Sequence, residues 1–377
     1  MAGETSGDIL GGRLMTALKS RVADVRFVGV GGEEMLREGL ESRAELSRLA
    51  VNGFVDPIKR LPDLISILMD LYRHFVLAPV DVVVGVDFNV FNLLLERMVK
   101  RQGIPTAHYV SPSVYFWRRG RIKRIGKSAD TVLALYPFEP ALYTDRGVRA
   151  TFVGHPLADE IDPDAGSDRQ RAMARAKLGI GEEKTVFAVM PGSRMSEITY
   201  LGDIFLATAN RLADAFEGAV FAIPCVDDRI RGAVEQRLVN WPRLDVRLVR
   251  GDSKTVLTAC DAALVKSGTG TLEALLLRRP MVVSYRLGTA TYHLVNSLRR
   301  SKFVALPNIL AGRELVPELL QDDAQPDRLA RALLSELERS RTCDDYFDDF
   351  ERIHRTLRLD ASVRAADAVL ELVGGEH

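Results

Sequence analysis

Short runs rich in β-branched residues alternate with helical patterns along the whole sequence. In the first half the predicted strands cover residues 26–30, 81–87, 106–110, 131–136 and 151–154. In the second half they cover residues 185–190, 220–224, 246–249, 262–267 and 281–285. Strands that alternate with helices pair in parallel through crossover connections. The pattern therefore predicts an α/β fold of two Rossmann-like, doubly wound domains that face one another across an interdomain cleft.

The length of the chain also favours two domains, because 377 residues exceed the usual domain size of about 100–200 residues. The segment 156–171 is rich in Pro, Asp, Gly and Ser, which is typical of a linker. We therefore predict an N-terminal Rossmann-like domain over 1–156 and a C-terminal Rossmann-like domain over 172–345. A helical segment over 346–377 is expected to pack back on the N-terminal domain.

The N-terminal residues look like a turn that has lost the strand before it. Residues 2–8 read Ala-Gly-Glu-Thr-Ser-Gly-Asp, and a helical pattern follows over 9–21. In a doubly wound sheet the strand before such a turn is central. We expect either a domain that starts on a helix or an N-terminus that lacks the first strand of the sheet.

Charge and cysteine content exclude several classes of function. Lys plus Arg and Asp plus Glu number 51 each, so no overall charge attracts nucleic acid. Cys225, Cys260 and Cys343 lie far apart, without the paired spacing of zinc or redox sites. No apolar run reaches the roughly 18 residues of a membrane-spanning helix. The sequence predicts a soluble protein of a reducing cytoplasm without metal or cofactor, which can still lie on a membrane surface.

One strand is followed directly by a Gly-rich turn and a helix. The turn contains Ser267, Gly268 and Thr269, and Glu273 lies about one helical turn further on. Unpaired N–H groups and the helix dipole make such a helix start suitable for a diphosphate. An acid at the Glu273 position can accept hydrogen bonds from ribose hydroxyls. Gly also serves turns that bind nothing, so the turn alone leaves both interpretations open.

Several motifs along the chain together resemble the lipid-A-disaccharide synthase family. They occur in that family's order and cover residues 4–8, 85–87, 109–113, 117–118, 154–156, 191–194, 267–269, 306–308 and 312–314. The resemblance implies a GT-B glycosyltransferase that moves 2,3-diacylglucosamine from UDP to lipid X, which is 2,3-diacylglucosamine 1-phosphate. The products would be the β-1′,6-linked disaccharide 1-phosphate, formed with inversion, and UDP.

The resemblance also implies partners and a location. The N-terminal domain would bind the acceptor and lipid, and the C-terminal domain would bind the UDP-sugar. Family members are metal-independent and lie peripherally on the cytoplasmic face of the inner membrane, where anionic lipids are the expected contact. A homo-oligomer is one option, and nucleic acid is not an expected partner.

Asp87 is the candidate general base. It ends the apolar run 82–86, so its carboxylate is expected at the carboxyl edge of the sheet, where α/β proteins bind ligands. An inverting transfer needs a base that removes the acceptor's hydroxyl proton. Many family members have a second acid three residues later, where Val90 stands here, so Asp87 would act alone. The alternative is that Asp87 caps the helix that starts near Asn89.

Arg194 is the candidate for the diphosphate. It closes the segment Pro191-Gly192-Ser193-Arg194, which follows a predicted strand and opens a predicted helix. The guanidinium fork matches phosphate geometry, and a cation at a helix start is unfavourable unless an anion lies nearby. We therefore assign Arg194 both to UDP binding and to catalysis, where it would stabilise the departing diphosphate. The alternative is a solvated arginine in the first helical turn.

Two further loops are expected to contact the UDP-sugar. The resemblance assigns Glu4 and Ser6 on the first loop to the donor, whereas Asp8 on the same loop is equally suited to cap a helix. Asn308 lies in a Pro-Asn-Ile-Leu loop, which suits recognition of uracil or diphosphate. Turn formation is the equal alternative for Asn308.

Two segments are candidates for contact with lipid. Residues 63–77 place apolar side chains, among them Leu68 and Leu71, at helical spacing, which fits an interfacial helix or one that covers a sheet. Positive charge is concentrated in a second segment, whose candidate residues for the acceptor or the membrane are Trp117, Arg118, Arg119 and Arg121. A smaller basic cluster covers 299–302. A solvated basic helix face is the alternative for the larger cluster.

Two rival interpretations remain at this point. One is another UDP-sugar enzyme of the same fold, such as a UDP-N-acetylglucosamine 2-epimerase or a muramyl-lipid transferase. The segments 109–113 and 307–314 argue against both. The other is a non-catalytic nucleotide-sugar or lipid-binding protein.

Overall fold

The computed structural model describes residues 1–49, 57–78, 80–112, 119–288, 292 and 301–374, with the side chains of 57–60 and 119 not described. The chain divides into two compact units. Unit 1 comprises Met1–Asp159 and Thr356–His377, and unit 2 comprises Glu160–Arg355. Residues 346–355, which the sequence interpretation grouped with the C-terminal segment, therefore belong to unit 2.

The strands are short and mostly apolar. In chain order they are β1 (Phe27–Gly29), β2 (Leu40–Ser42), β3 (Val83–Val86), β4 (Thr106–Tyr109), β5 (Thr131–Ala134), β6 (Arg149–Phe152), β7 (Val186–Met190), β8 (Val220–Cys225), β9 (Asp245–Arg250), β10 (Ala262–Lys266), β11 (Met281–Tyr285) and β12 (Glu318–Leu320). Strands such as β4 and β5 are buried along their whole length, as expected for parallel strands covered on both faces.

Helices connect the strands. In chain order they are α1 (Thr5–Lys19), α2 (Glu33–Arg37), α3 (Leu46–Leu49), α4 (Pro57–Leu77), α5 (Asn89–Lys100), α6 (Ile122–Ile125), α7 (Glu139–Thr144), α8 (Pro156–Glu160), α9 (Asp168–Lys177), α10 (Met195–Ala215), α11 (Asp228–Leu238), α12 (Ser253–Ala259), α13 (Thr269–Leu276), α14 (Leu306–Ala311), α15 (Pro326–Thr342), α16 (Asp348–Leu357) and α17 (Ala361–Gly374). Local capping fixes several starts: Asp227 accepts from Ile230 N at α11, and Asp252 accepts from Thr255 N at α12.

All the sheet pairings of unit 2 are parallel, in the order β12-β11-β10-β7-β8-β9. This is the Rossmann order, in which the first and fourth strands of the domain, β7 and β10, are neighbours. The connections leave β7 and β10 in opposite directions across the sheet. The carboxyl ends of these two strands therefore form the topological switch point, where ligands of open α/β sheets bind.

Unit 1 also has parallel strands on either side of a switch point, and its first two residues lie at the centre. Strands β3 to β6 pair in order, and β1 pairs with β2, all in parallel. Ala2 bridges Val86 in parallel, Val86 N donates to Met1 O at 2.8 Å, and Ala2 N donates to Val30 O at 2.8 Å. Residues 1–2 thus lie between the β1 and β3 strands. The carboxyl end of β3 and the loop that begins at Gly3 form the switch point of unit 1.

Asp8 holds the first loop of unit 1 together. Its carboxylate is buried and accepts hydrogen bonds from Gly32 N at 2.7 Å, Glu34 N at 3.0 Å and Met35 N at 3.1 Å. These donors lie at the start of α2, whose first N–H groups have no partner within the helix. Asp8 is therefore a capping residue, but for α2 rather than for the helix on which it lies.

The apolar faces of the helices in unit 1 pack into two buried clusters. In unit 1, α17 packs along α1 above the sheet, and Leu14, Val86, Tyr109 and Val369 are members of one buried cluster. On a second cluster, Leu68 and Leu71 of α4 are only 6% and 0% exposed and pack with Phe91 and Leu95 of α5. The prediction that Leu68 and Leu71 contact lipid is therefore wrong, because these side chains fill the core.

The predicted fold class is confirmed. Each of the ten predicted strands is present, and both units carry parallel, Rossmann-like sheets. The sequence pattern does not predict β2 and β12, which have only three residues each. Within the described ranges, the structure contains no helix with both the length and the apolar content needed to cross a membrane.

Candidate functional site

Unit 2 has a cavity of about 540 Å³ at its switch point. Loops after four strands line it, contributing Arg194 after β7, Val226 after β8, Ser253 after β9, and Thr269 and Glu273 after β10. Arg194, Gly268, Thr269 and Glu273, which the sequence predicts to bind one ligand, all line this cavity.

The turn after β10 presents the start of α13 to the cavity. Gly268 precedes the helix, Thr269 is exposed at its first position, and Gly270 also lines the cavity. The first N–H groups of a helix have no carbonyl partner within it. Ser267 differs from its neighbours, because its hydroxyl donates to Val304 O at 2.9 Å and stabilises the turn from behind. Ser267 does not line the cavity, and its predicted contact with the UDP-sugar stays a prediction.

Glu273 is positioned to accept hydrogen bonds. It is half-buried, and Ser253 Oγ donates to its Oε2 at 2.9 Å. Burial raises the pKa of the Glu273 carboxyl above its ordinary value, while the bond from Ser253 opposes that shift. Among the described residues, its hydrogen bond is the one from Ser253, so Oε1 can accept from a ligand hydroxyl.

Arg194 is the N-cap residue of α10, and its side chain is exposed at the cavity wall. Glu197 in the first turn accepts from Ser193 N at 2.9 Å and from Arg194 N at 3.2 Å. The same carboxylate pairs with Lys266 Nζ at 2.7 Å. Within the described part of the chain, no carboxylate pairs with the Arg194 guanidinium, so the acid beside it does not neutralise it.

Lys266 and Glu197 are cavity residues that the sequence analysis missed. Burial alone would raise the pKa of Glu197, but the ion pair with Lys266 and the two backbone donors outweigh it and lower that pKa below its ordinary value. Gly192 makes this approach possible, since a Cβ there would collide with the Glu197 carboxylate. The available signal was a lysine at the end of the apolar run 262–265.

Asn308 lies outside the ligand cavity. It is fully buried, and its amide donates to Val316 O at 2.9 Å and to Glu318 Oε1 at 2.8 Å. Its carbonyl oxygen accepts from Leu315 N at 2.7 Å and from Val316 N at 2.9 Å. An amide has two donor hydrogens and two lone pairs, so all its capacity is used. The predicted contact with uracil or diphosphate is corrected to a structural role in its own loop.

Strained backbone marks the switch point of unit 1. Asp87 and Phe88 follow β3 with φ values of 51° and 44°, and Val110 follows β4 with a φ of 78°. Left-handed conformations cost non-glycine residues about 1–3 kcal/mol each and persist where the surrounding structure enforces them. Such strain clusters at functional sites. Three strained residues at the ends of adjacent strands therefore single out this edge of unit 1.

Asp87 presents its carboxylate at this strained turn. Its backbone N–H donates to Tyr109 O at 2.8 Å, and its side chain is half-buried. Asn89 Nδ2 donates to Asp87 Oδ1 at 3.4 Å. The N-cap residue of α5 is Phe88, and the helix has no side-chain cap. The alternative role of Asp87 as a helix cap is therefore wrong.

Glu4 and Ser6 lie on the loop beside this turn. Both are exposed, and neither side chain caps α1. A Cβ at Gly3 would collide with the Phe88 ring, so glycine lets the loop pack directly on the strained turn. The structure thus groups Glu4 and Ser6 with Asp87 in unit 1, whereas the other predicted UDP-sugar residues belong to unit 2.

The predicted basic surface is described only in part. Trp117 and Arg118 lie outside the described residues, as does the side chain of Arg119. Arg121 is half-buried at the start of α6, whereas Lys123 and Arg124 are exposed. The segment therefore continues as a short helix with a basic outer face over buried isoleucines.

Exposed apolar side chains occur where the sequence analysis did not place them. On α4, Leu61 and Ile65 are 52% and 50% exposed, and on α5, Val90 and Leu94 are 80% and 48% exposed. The two helices pack against each other. We name these four residues the apolar surface of unit 1. No group of three or more His, Cys, Asp or Glu side chains within the described ranges could hold a metal ion.

Comparisons with known proteins agree on one family. A family model described as lipid-A-disaccharide synthetase matches residues 1–369. A lipid-A-disaccharide synthase of Pseudomonas aeruginosa is 47% identical over 373 residues, which cover 99% of this chain and 97% of the relative. One of Pseudomonas putida is 48% identical over 373 residues, with the same coverage.

A solved structure extends the comparison of the fold. The chain is similar to the UDP-GlcNAc 2-epimerase from Neisseria meningitidis bound to UDP-GlcNAc, with a TM-score of 0.68 and coverage of 98% of each chain. Because the two sequences are only 12% identical, this likeness shows the fold alone.

Proposed function

The chain belongs to the lipid-A-disaccharide synthase family, and we propose that unit 2 binds the UDP-sugar of this glycosyltransferase while unit 1 supplies the base. Its substrates are accordingly a nucleotide sugar and lipid X. The observation that carries the proposal is the switch-point cavity of unit 2. There the start of α13, the exposed Arg194 and the half-buried Glu273 line the same space.

The cavity suits the UDP part of the donor. The start of α13 and the Arg194 guanidinium supply donors for the diphosphate, and Glu273 supplies an acceptor for the ribose. Donors already aimed at the diphosphate stabilise the negative charge that develops as UDP departs. Lys266 adds a second positive charge to the cavity lining, although its pairing with Glu197 limits this contribution.

The transfer is a single displacement at the anomeric carbon. The acceptor's 6-hydroxyl oxygen attacks this carbon, and the bond between the carbon and the diphosphate oxygen breaks. UDP leaves with the electron pair, and the hydroxyl proton passes to the Asp87 carboxylate. Attack opposite the leaving group inverts the configuration, giving the β-linked disaccharide 1-phosphate.

A direct assay tests this function. Purified protein is mixed with UDP-2,3-diacylglucosamine and lipid X, and both UDP and the disaccharide 1-phosphate are quantified. We expect equal amounts of the two products, with a β linkage in the NMR spectrum of the disaccharide. UDP release that does not require lipid X would indicate a different reaction. Absence of product under conditions in which a related synthase is active would favour a binding protein.

The apolar surface of unit 1 is the proposed contact with the cytoplasmic face of the inner membrane. Leu61 and Ile65 are four residues apart and so lie on one face of α4. Exposed apolar side chains on one helix face suit insertion into the interface of a bilayer. We expect the double change Leu61→Glu and Ile65→Glu to lower partitioning onto phosphatidylglycerol vesicles at least about tenfold, because burying each side chain is worth about 1.5–3 kcal/mol.

A matched change on unit 2 provides the control for this experiment. Val239→Glu adds a charge at a side chain that is 77% exposed, and it should leave sedimentation with vesicles unchanged. Equal losses in both variants would point to a general charge effect. Unchanged partitioning of the double variant would remove the apolar surface from the membrane contact.

The acidity of Glu273 gives a pH-dependent UDP affinity. Its pKa is raised, so the carboxyl becomes protonated at a higher pH than an ordinary glutamate. As pH falls through this raised pKa, the carboxylate loses an acceptor site for the ribose, and UDP affinity should fall about tenfold. Glu273→Gln should bind UDP more weakly at neutral pH. Titration calorimetry between pH 5 and 8 compares the two proteins.

The Glu273→Gln variant also distinguishes protonation of Glu273 from protonation of UDP itself. The terminal phosphate of UDP gains a proton in the same range, but it does so equally in both proteins. If the wild type and Glu273→Gln show the same pH profile, Glu273 does not contact the nucleotide.

A further inference from the structure

A buried histidine is linked by hydrogen bonds to the proposed base. His108 lies on β4, and Glu96 on α5 contacts its Nδ1 through Oε1 at 2.8 Å. Their side chains are 0% and 1% exposed. His108 Nε2 lies 3.1 Å from Asn89 Oδ1, and Asn89 Nδ2 donates to Asp87 Oδ1 at 3.4 Å. We infer that Glu96, His108 and Asn89 are positioning residues that hold the Asp87 carboxylate in its reactive orientation.

The hydrogens of this chain can be assigned from its ends. An ionised carboxylate only accepts, so the NH₂ group of Asn89 must face Asp87. The amide oxygen of Asn89 then faces His108, whose Nε2 must carry a hydrogen. Glu96 satisfies Nδ1 either by accepting from a charged imidazole or by donating its own proton to a neutral one. In both states Nε2–H donates to Asn89, so the buried pair fixes the direction of the amide.

Neighbouring residues make room for the Glu96–His108 pair and hold the turn that carries Asp87. A Cβ at Gly85 would collide with Glu96 Oε1, so the carboxylate reaches His108 only because a glycine lies on β3. Asn92 Nδ2 donates to Asp87 O at 2.9 Å and holds the strained backbone from the same side. A buried Glu–His pair is expensive to desolvate and is weak evidence for stability. Within the described part of the chain, the hydrogen bond that leads from this pair toward the surface is the one between His108 Nε2 and Asn89 Oδ1.

The inference rests on the proposed role of Asp87 as the base, and it predicts a specific kinetic pattern. Asn89→Ala should lower kcat by about 10²-fold, because misplacing a reacting group by about 1 Å has that effect. The KM for lipid X and the affinity for UDP should stay nearly unchanged. In an Asp87→Asn background, Asn89→Ala should cause no further loss, because a positioning residue has nothing left to position.

Variants of His108 provide a second, independent readout. His108→Phe removes both ring nitrogens and should reproduce the loss of kcat seen for Asn89→Ala. His108→Gln keeps an N–H group that can donate to Asn89 and should recover much of that loss. Gln102→Ala, just beyond the end of α5, is the control and should retain full kcat. Melting temperatures identify any variant that is merely unfolded.

The possible outcomes separate the two proposals. If Asp87→Asn is nearly inactive but Asn89→Ala and His108→Phe keep full kcat, the positioning chain is wrong and the base is retained. An additional loss from Asn89→Ala in the Asp87→Asn background would show a general structural role and also overturn the inference. If Asp87→Asn itself keeps full turnover, the base assignment fails first, and the positioning chain fails with it.

Discussion

Asp87→Asn should lower kcat by about 10²–10⁴-fold, the usual contribution of a general base. The change keeps the size and shape of the side chain and its contact with Asn89, but an amide oxygen cannot take up the acceptor's proton. UDP affinity should be unchanged, because the residues proposed for the diphosphate and the ribose, Arg194, Thr269 and Glu273, belong to unit 2. Steady-state kinetics of UDP release and titration with UDP measure the two effects.

An acid on the same stretch of chain is the matched control. Asp81 is exposed before β3 and lies outside the strained turn, so Asp81→Asn should retain wild-type kcat and KM. Asp87→Asn tests the removal of the acceptor's proton, because Val90, three residues further on, is not an acid. If it turns over at the wild-type rate, the base lies elsewhere. A loss of UDP affinity in this variant would indicate that the change disturbs more than the proton transfer.

The strands and the strand-end turns could be predicted because their signals are local. Each parallel strand is a continuous apolar run, and a polar residue at its end is forced to the carboxyl edge of the sheet. This reasoning placed Asp87 at one switch point and Arg194 and Thr269 at the other. The three-residue strands β2 and β12 carry too few residues for such a pattern.

The face of an amphipathic helix could not be predicted in the same way. Apolar spacing shows that Leu68 and Leu71 share a face of α4, but it does not show what covers that face. In the structure the α5 helix covers it. The exposed Leu61 and Ile65 stand at other positions of the same helix, and only the packing distinguishes the two sets.

Partners that are distant in sequence account for the remaining differences. Asn308 is saturated by Val316 and Glu318, and Ser267 is bonded to Val304. The pairing of His108 with Glu96 depends on β4 lying beside β3, with α5 packed over them. Motif spacing indicates that such residues matter but does not say whether they contact a ligand or another side chain.

Arg194→Ala should weaken UDP binding by about 10–100-fold, which corresponds to the loss of charge-assisted hydrogen bonds worth about 1.5–3 kcal/mol. It should also lower kcat by about 10²–10³-fold, because a donor that stabilises developing charge acts most strongly as the diphosphate departs. The two effects are measured by calorimetry with UDP and by steady-state kinetics at saturating donor.

Two substitutions define what Arg194 contributes. Arg194→Lys keeps the positive charge but loses the bidentate geometry of the guanidinium. It should therefore retain part of the UDP affinity and a smaller part of kcat. Arg243→Ala removes an exposed arginine that pairs with Asp214 at 2.8 Å, and it should change neither quantity. An unchanged affinity in Arg194→Ala would take this residue out of the diphosphate site. A weaker affinity with normal kcat would instead mean that Arg194 stabilises the bound substrate and the transition state equally. Such an interaction improves KM but does not accelerate the transfer.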